Sequence, residues 1–476
     1  MRYGKIGLFY DGTFHDAVSG STREVVCPAN GEVLAEVAFA GAEDVELVVQ
    51  SAVRGFEAWR RLTVDQRKEW MLRLRDAILQ DRERLLEALM RETGKNRGVA
   101  EDDFEKLQKG LAFFPDQMKN LAGDLIHDTE GDAEHRITYS PIGPVAAYLA
   151  WNFPLLNLGY KIGPALASGC SLIAKPSGLT PLTNLLVAEI SEKIRFPAGV
   201  FNVVPGDNNG FGNGLSAHTA VAGLTMIGSF GTAKRVIAAS ATSIKHLSLE
   251  LGGNAPFIVF EDGDLDAAAD LLVTLKVANT GQICVSPNRI FVRESILDKF
   301  VGMLKERLAS HKLGFPMEDE SATVGPMIST GEADRVRDLI ERSVSAGAKV
   351  VFGGPVELRD TFVEPHLLTN LDSDNPIFTE EVFGPVIPVY SFKTDDEVLE
   401  LANRTDTGLA SYVFTADQRR ASRFSNELEF GEVMVNKAKW DIHLPHIGIK
   451  NSGLGMDCSK YSLLDYVHMK RVTVGL

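Results

Sequence analysis

The feature that most constrains the fold is an alternation that begins near residue 143. Segments of helical periodicity alternate with short apolar runs bounded by Gly, Pro, Asn or Ser: Val145–Ala150, Ser171–Ala174, Val200–Val204, Gly223–Ile227, His246–Leu251 and Phe257–Phe260. Such an alternation forms βαβ units, which build a mostly parallel sheet covered by helices on both faces. A second α/β section covers roughly residues 262–440, with predicted helices near 264–280, 296–310 and 331–347. The sequence therefore predicts an α/β fold.

Both ends of the chain carry regular patterns outside this region. Residues 44–60 and 65–92 are predicted amphipathic helices, the second with Asp65 as its N-cap and Gly94 as its end. The tail, residues 457–476, contains a strand-like alternation, and a strand at a chain terminus needs a partner edge. Pairing with a second subunit would supply that edge, so the tail predicts a homodimer or homotetramer.

Composition excludes several functions. The chain has 476 residues, 45% hydrophobic and 24% charged, which is typical of a soluble globular protein. Its formal net charge of -15 would repel nucleic acid and anionic membrane surfaces, so neither is a predicted partner. The longest weakly charged stretch, residues 141–174, contains Lys161 and is broken by prolines, which argues against a membrane-spanning helix.

The cysteines indicate a reducing compartment. There are four of them, too scattered for a disulfide framework: Cys27, Cys170, Cys284 and Cys458. No two have the C-x-x-C spacing of a zinc site, and the pair His443 and His446 lacks a third clustered ligand, so no metal is predicted. Because the N-terminus also lacks a signal-peptide pattern, we expect a cytoplasmic protein.

Three residues have types and settings that suit covalent catalysis. Cys284 lies in a Gly- and Pro-flanked turn where a thiol can be accessible, although a lone cysteine is more often an inert core residue. Glu250 falls inside an apolar strand, as a buried general base or as an outward-pointing side chain of an edge strand. Asn152 follows a strand, where its amide could donate to an oxyanion or simply form a turn.

Two glycine-rich loops are candidates for phosphate binding. Residues 206–214 are rich in Gly and Asn but lack a dinucleotide fingerprint. The segment Gly228-Ser229-Phe230-Gly231 follows a predicted strand and opens a helix, a junction that can receive a pyrophosphate on the helix N–H groups. Each segment is a weak signal when it is taken alone.

Together the segments resemble the aldehyde dehydrogenase superfamily over nearly the whole chain. Those that occur in family order are Trp151-Asn152-Phe153-Pro154, Lys175-Pro176-Ser177, Gly228-Ser229, Glu250-Leu251-Gly252-Gly253-Asn254-Ala255-Pro256, Gly281-Gln282-Ile283-Cys284 and Glu381-Val382-Phe383-Gly384-Pro385. Their spacing also matches, with 34 residues from Glu250 to Cys284 and 97 from Cys284 to Glu381. The resemblance implies a Rossmann-type cofactor domain at residues 1–117 and 138–249. It also implies an α/β catalytic domain at residues 250–440 and a small β oligomerisation element at residues 118–137 and 457–476.

The same resemblance implies the roles of individual residues. Cys284 would attack a small-molecule aldehyde, and the Asn152 amide with the Cys284 backbone N–H would form the oxyanion hole. Glu250 would activate the water that hydrolyses the thioester, and Lys161 would stand beside the substrate channel in a proton relay. The residues implied in NAD(P) binding are Leu149, Trp151, Lys175, Ser177, Gly178, Gly228, Ser229, Glu381 and Phe383.

One departure from the family bears on the cofactor. Relatives that prefer NAD often carry a Glu three residues after the lysine, whereas this chain has Gly178. Without that carboxylate a 2′-phosphate is not repelled, and Lys175 is available to pair with it. We therefore expect NADP, or both NADP and NAD.

Other departures bear on the substrate. The run 452–461 resembles the succinate-semialdehyde dehydrogenase branch, but Tyr160 and Ala278 stand where that branch has its carboxylate-binding arginines. The loop Pro445-His446-Ile447-Gly448 also stands where Pro-Phe-Gly-Gly is common, so His446 takes the place of the Phe. The predicted channel favours a neutral, moderately polar or aromatic aldehyde, and its lining residues are Asn157, Tyr160, Trp440 and His446. Succinate semialdehyde remains the alternative, with Lys437 and Lys439 as the cations that could bind it.

Two other functions remain open. A cofactor-independent thiol hydrolase would use Cys284, Glu250 and Asn152, but it would leave Lys175 and Glu381 without a role. A catalytically silent structural protein is disfavoured because the three chemical residues are intact.

Overall fold

The computed structural model describes residues 2–121, 123–354 and 361–476. Within them the α-helices, α1 to α14 in chain order, are Val45–Trp59, Val64–Gln80, Arg82–Thr93, Arg97–Gln117, Pro154–Ser168, Leu182–Lys193, Asn213–Ala217, Phe230–Ser240, Leu265–Val277, Leu297–Leu308, Thr330–Ser345, Pro376–Thr379, Asp395–Asn403 and Gln418–Glu427. The strands, β1 to β23, are Lys5–Ile6, Leu8–Tyr10, Thr13–His15, Thr22–Val26, Val33–Ala38, Leu125–Ile126, Ala133–Pro141, Pro144–Tyr148, Ser171–Lys175, Phe201–Val203, Gly223–Gly228, His246–Leu251, Ala255–Val259, Pro287–Arg293, Lys349–Phe352, His366–Thr369, Val386–Phe392, Thr407–Gly408, Ala410–Phe414, Glu432–Val435, Ile449–Lys450, Gly453–Leu454 and Val467–Gly475.

An eight-stranded sheet contains the predicted βαβ strands. Its order is β22-β12-β11-β8-β9-β10-β2-β3, and the five strands from β12 to β10 are parallel. Strands β8 and β9 are buried along their whole length, as expected for a sheet with helices on both faces. The predicted mostly parallel sheet is confirmed.

A seven-stranded sheet occupies the second α/β section. Its order is β15-β16-β17-β14-β13-β19-β20, with only β15 antiparallel to its neighbour. The three helices predicted in this section are present as α9, α10 and α11. The α/β fold class is therefore confirmed for both parts of the chain.

The predicted helix over 65–92 was wrong in its continuity and in its cap. It is two helices, α2 and α3, separated at Asp81, whose backbone leaves the helical region. Thr63 rather than Asp65 is the N-cap, because its side chain accepts from the backbone N–H of Gln66 in a capping box. Gly94 ends α3 in the left-handed conformation, as predicted.

The tail finds its partner edge inside the chain. Strand β23 pairs antiparallel with β7 over nine residue pairs, from Val467 with Pro141 to Gly475 with Ala133. The expectation that a second subunit supplies this edge was therefore wrong. The opposite edge of β23 has no neighbouring strand among the described residues. No helix in the described part of the chain is both long and apolar enough to cross a membrane.

Deletion of residues 467–476 tests this pairing. We expect a lower Tm and association of the truncated chain, because β7 would lose its ladder and expose a strand edge. Thermal unfolding and light scattering measure both effects. A Lys470→Ala, Arg471→Ala variant is the control, since both side chains are exposed and the backbone pairing is kept. An unchanged Tm after the deletion would contradict the prediction.

Candidate active site

A cavity of about 350 Å³ lies where the sheet strands end at their carboxyl edges. Loops after β8, β11 and β12 reach it, together with the segment before β14. It is lined by Ala150, Trp151, Asn152, Ile227, Gly228, Ser229, Glu250, Gly252, Cys284, Glu332, Arg335, Glu381 and Phe383. The structure therefore brings the three predicted chemical residues into one cavity with five of the predicted cofactor residues.

Cys284 follows a loop with a strained backbone, and this loop places the residue in the cavity. Asn279 and Thr280 both have left-handed backbone, with φ of 47° and 56°, and Gly281 follows with φ of 72°. A Cβ at Gly281 would lie 2.3 Å from the carbonyl oxygen of Gly384, so this position cannot carry a side chain. Burial, together with the Glu250 carboxylate, raises the pKa of the Cys284 thiol to about 12.

The Asn152 loop is bonded to the cysteine loop. The Asn152 side-chain amide donates to the carbonyl of Gln282 at 3.2 Å, and the Asn152 carbonyl accepts from the Asn279 amide at 3.0 Å. Asn157, predicted to line the substrate channel, instead donates to the Ala150 carbonyl at 3.0 Å and contacts the Asn152 side-chain oxygen at 3.5 Å. Asn157 therefore supports the loop that carries the oxyanion donor.

A buried ion pair anchors the same loop. Lys95 Nζ lies 2.8 Å from Asp103 Oδ2, donates to the Asn152 carbonyl at 2.8 Å, and stands 4.1 Å from the centre of the Phe153 ring. Asp103 also accepts from the backbone N–H of Leu156 at 2.6 Å, in the first turn of α5. Both charged side chains are 0% exposed. Sequence reasoning missed this pair, because nothing in α4 or just before it marks one Asp or Lys among many as buried.

Glu250 and His446 meet beside the cysteine. Glu250 is 4% exposed, and its Oε1 lies 3.3 Å from His446 Nε2 without the alignment of a hydrogen bond. The same Nε2 is 4.0 Å from Cys284 Sγ. His446 Nδ1 lies 2.5 Å from Glu432 Oε1, and Trp440 Nε1 donates to Glu432 Oε2 at 3.0 Å. His446 and Trp440, predicted as channel walls, are thus part of a polar chain that ends at the nucleophile.

These contacts also change the interpretation of the histidines. The reactive atoms of Glu250, Cys284 and His446 all lie within 4.8 Å of one another, so the carboxylate, the thiol and the imidazole form one compact cluster. His443 is not part of this cluster, since its side chain is half exposed beside Asp441. Both ring nitrogens of His446 have partners in the chain, and we assign no metal to the cluster.

Lys161 and Tyr160 lie behind the cluster. Lys161 is fully buried, and its Nζ donates to both carboxylate oxygens of Asp457 at 2.6 and 2.8 Å. The backbone of Asp457 in turn pairs with the backbone of His446. Tyr160 is 5% exposed and lies against the thiol of Cys458. Neither side chain lines the cavity described above.

The cavity wall around Glu381 combines a buried carboxylate with an arginine that holds its loop. Burial raises the pKa of Glu381 to about 7, and its Oε1 accepts from the Gly253 N–H at 3.2 Å. Arg335, which the sequence did not suggest, donates to the carbonyls of Glu381 and Val382 and so holds this loop. Phe383 has a left-handed φ of 43° and packs edge-on against Trp151, with ring centres 5.5 Å apart.

Ser229 lies on the cavity wall at the start of a helix. It is the N-cap of α8, and its side chain accepts from the Thr232 N–H, so this helix begins at the cavity. Leu149 is buried in the core, and its N–H donates to the Lys175 carbonyl. Lys175 Nζ donates to Asn208 Oδ1 at 2.8 Å, and burial lowers its pKa to about 8.

Arg23 is a residue near Gly178 that sequence reasoning missed. It lies on β4, with its guanidinium 5.4 Å from the Phe39 ring centre. A Cβ on Gly178 would stand 2.7 Å from Arg23 Nη1, and Arg23 is close enough to Lys175 to lower its pKa further. Ser177 Oγ accepts from the Leu179 N–H in the same turn. Arg23 therefore places a cation beside the position where a Glu is absent, and Lys175 lies close to that cation.

Comparison with known proteins identifies the family of the chain. The model of the aldehyde dehydrogenase family matches residues 14–472. The mitochondrial succinate-semialdehyde dehydrogenase of Oryza sativa subsp. japonica is 38% identical, with 98% of this chain and 88% of that protein covered. The glutarate-semialdehyde dehydrogenase of Pseudomonas aeruginosa is also 38% identical, with coverage of 98% and 97%.

Solved structures give the same result. An NADP dependent enzyme of E. coli superposes with a TM-score of 0.97 at 34% identity, covering 99% of this chain and 98% of that one. The chain belongs to the aldehyde dehydrogenase family, and it is an oxidoreductase.

Replacement of Lys95 by Met tests the anchor of the Asn152 loop. Removal of one partner leaves the Asp103 charge buried, which we expect to cost about 3–5 kcal/mol of stability. Thermal unfolding measures that loss. A Lys95→Met, Asp103→Leu double variant should recover much of the stability but not the kcat, because the Asn152 carbonyl keeps only its bond from Asn279 and the Leu156 N–H has lost its partner. A double variant with full activity would contradict this role.

Proposed function

We propose that the protein oxidises an aldehyde to the carboxylic acid, with NAD(P) as the oxidant and Cys284 as the nucleophile. The observation that carries the proposal is the common cavity of Cys284, Glu250 and the Asn152 loop, with the N-terminus of α8 and Glu381 on its walls. The residues that would hold the cofactor are Trp151, Lys175, Gly228, Ser229, Glu381 and Phe383. When bound, the nicotinamide supplies the hydride acceptor.

The chain's own groups account for the remaining steps. Cys284 Sγ attacks the aldehyde carbon, while the Asn152 amide and the Cys284 backbone N–H stabilise the oxyanion of the thiohemiacetal. After oxidation the acyl group is held as a thioester on Cys284. Glu250 then takes a proton from a water that attacks the thioester, and the acid leaves with recovery of the thiol.

Lys161 stabilises the site from outside the cavity. Its ion pair with Asp457 is buried, and Asp457 is bonded through its backbone to His446. We therefore infer that Lys161 fixes the segment that carries His446, rather than relaying protons beside a substrate channel. Burial raises the pKa of Asp457, and the lysine's positive charge opposes that shift.

The cofactor preference that we propose is NADP, with NAD as a second cofactor. Arg23 stands beside Gly178, where a Glu would otherwise repel a 2′-phosphate, and it is close enough to Lys175 to lower its pKa. A guanidinium also binds phosphate oxygens through two parallel N–H groups, which an ammonium cannot do.

For the substrate we propose a neutral, moderately polar or aromatic aldehyde. Several relatives are named for semialdehydes that carry a carboxylate, but Tyr160 and Ala278 stand where carboxylate-binding arginines are expected. Tyr160 is buried, and Lys437 and Lys439 are exposed to solvent. Succinate semialdehyde remains the second candidate because of the similarity to its dehydrogenases.

We further propose a cytoplasmic homodimer or homotetramer. The eight-stranded sheet would hold the cofactor, the seven-stranded sheet would carry the nucleophile, and the small sheet of β6, β7 and β23 would contribute to assembly. The open outer edge of β23 supports the last point.

A panel of aldehydes with both cofactors tests the proposed reaction. We expect neutral polar or aromatic aldehydes to exceed succinate semialdehyde in kcat/KM, and Cys284→Ala to abolish turnover while leaving NADPH binding intact. Asn152→Ala should lower kcat by about 10²–10³-fold through loss of the oxyanion donor. NADPH binding is measured by protein fluorescence. Turnover of ester or amide substrates without measurable NADPH binding would favour the thiol hydrolase instead.

Two substitutions around Gly178 test the cofactor preference. Arg23→Ala should lower kcat/KM for NADP by at least about tenfold and leave the value for NAD unchanged, because a charge-assisted hydrogen bond is worth about 1.5–3 kcal/mol. Gly178→Glu should shift preference toward NAD. Arg54→Ala, an exposed arginine paired with Asp11, is the control. A wild-type kcat/KM that is tenfold higher with NAD would contradict the preference.

A further inference from the structure

His446 is the residue at this site that the proposed reaction does not yet use. It stands where a Phe is common among relatives, and a Phe can neither accept nor donate a proton. Its Nε2 faces Cys284 Sγ at 4.0 Å and Glu250 Oε1 at 3.3 Å. Its Nδ1 faces Glu432 at 2.5 Å, so one nitrogen is bonded to a carboxylate while the other points at the nucleophile.

We propose that His446, oriented by Glu432, is the base that removes the proton from Cys284, which leaves Glu250 free to activate the hydrolytic water. The inference rests on the proposed function only in assigning Cys284 as the nucleophile. His446 would be a catalytic residue, whereas Glu432 and Trp440 would be positioning residues.

The proton transfer balances within the chain. The S–H bond of Cys284 breaks, the proton goes to His446 Nε2, and the electron pair stays on sulfur as a thiolate. His446 becomes an imidazolium whose Nδ1–H is donated to the Glu432 carboxylate. When water has attacked the thioester, sulfur leaves as a thiolate and recovers its proton from His446, so that both groups return to their starting state.

Glu432 is held in the position that this role requires. Its side chain is 9% exposed, and its two oxygens are divided between His446 Nδ1 and the Trp440 indole N–H. A carboxylate fixed in this way selects the tautomer with hydrogen on Nδ1, which leaves Nε2 as the acceptor. It also compensates the positive charge that develops on the ring.

The electrostatics of the cluster favour His446 over Glu250 as the base for the thiol. The Glu250 carboxylate raises the pKa of Cys284, whereas His446 lowers it. Burial alone would lower the pKa of His446, but Glu432, with Cys284 and Glu250, raises it well above its usual value. A protonated ring beside the sulfur stabilises a thiolate, while a second anion opposes it.

Other groups face His446 and belong to the same electrostatic setting. Asp457 is paired with Lys161, and burial raises its pKa. Burial also raises the pKa of the Tyr412 hydroxyl well above its usual value and that of the Cys458 thiol to about 12, so both stay neutral near pH 7. Neither of these two groups therefore adds a charge beside the His446 ring near pH 7.

Alkylation of Cys284 by iodoacetamide tests the proposal on EDTA-treated protein without aldehyde or cofactor. The rate is followed across neutral and alkaline pH, and the adduct is located by mass spectrometry.

We expect His446→Phe to slow labelling at neutral pH by at least about tenfold, equal to a rise of about one unit in the apparent pKa of the labelling profile. Glu432→Gln should cause a smaller rise, and Glu432→Asp should restore part of the wild-type rate. Thermal unfolding of each variant checks its fold, and Glu432→Gln keeps the test decisive if His446→Phe does not fold.

Two further variants decide between the two bases. Glu250→Gln should lower the apparent pKa of labelling, because a carboxylate beside the sulfur is removed. His443→Phe, three residues from His446 and half exposed, should leave the profile unchanged.

Three results would overturn the proposal. The first is an equal pH profile of labelling for wild type and His446→Phe, and the second is a slowing by Glu250→Gln as large as that by His446→Phe. The third is faster labelling of the wild type after EDTA treatment than before it, which would place a divalent cation in the cluster. Failure of every aldehyde in the panel would instead count against the proposed function and leave the labelling result intact.

Discussion

The buried pair of Lys95 and Asp103 is the interaction on which the site depends. Two unit charges at 2.8 Å, both removed from water, are costly unless further hydrogen bonds satisfy them. Here the remaining capacity goes to the Asn152 carbonyl and the Leu156 N–H, one on each side of Pro154. The pair therefore ties helix α4 to the loop that carries the oxyanion donor. Burial lowers the pKa of Lys95 and raises that of Asp103, and each charge opposes the shift of the other.

Loop strain on the cysteine side complements this anchor. Two left-handed residues before Gly281 cost energy that only surrounding contacts can offset. Those contacts run to the Asn152 loop, since the Asn279 side chain donates to the carbonyl that Lys95 also binds. The loop of the oxyanion donor Asn152 and the loop of the nucleophile Cys284 are thus joined at one carbonyl oxygen. A shift of either loop would therefore displace the other.

The sequence predicted the α/β class, the main strands, and the residues Cys284, Glu250 and Asn152, because each lies in a local pattern or a family segment in register. What it missed depends on contacts that no local pattern marks. Glu432, the first residue of β20, contacts His446 from 14 residues earlier in the chain, and Arg23 reaches Gly178 across more than 150 residues of sequence.

The errors in local structure have a similar cause. The apolar stripe continues through residues 65–92 although the backbone breaks at Asp81, so periodicity alone could not reveal two helices. Strand β23 looked unpartnered because β7 lies more than 300 residues earlier in the chain. In each case a contact distant in sequence, or a single backbone angle, decides what the pattern leaves open.

The position of the last residues has a consequence for biosynthesis. His446, Asp457 and strand β23 all belong to the final part of the chain, while their partners Cys284, Lys161 and β7 are made much earlier. These segments are synthesised after their partners, so a nascent chain that has already formed the parallel strands of its eight-stranded sheet still lacks them. Completion of the polar cluster and of the small sheet is therefore a late event in folding, and a prematurely terminated chain would carry the nucleophile without its surroundings.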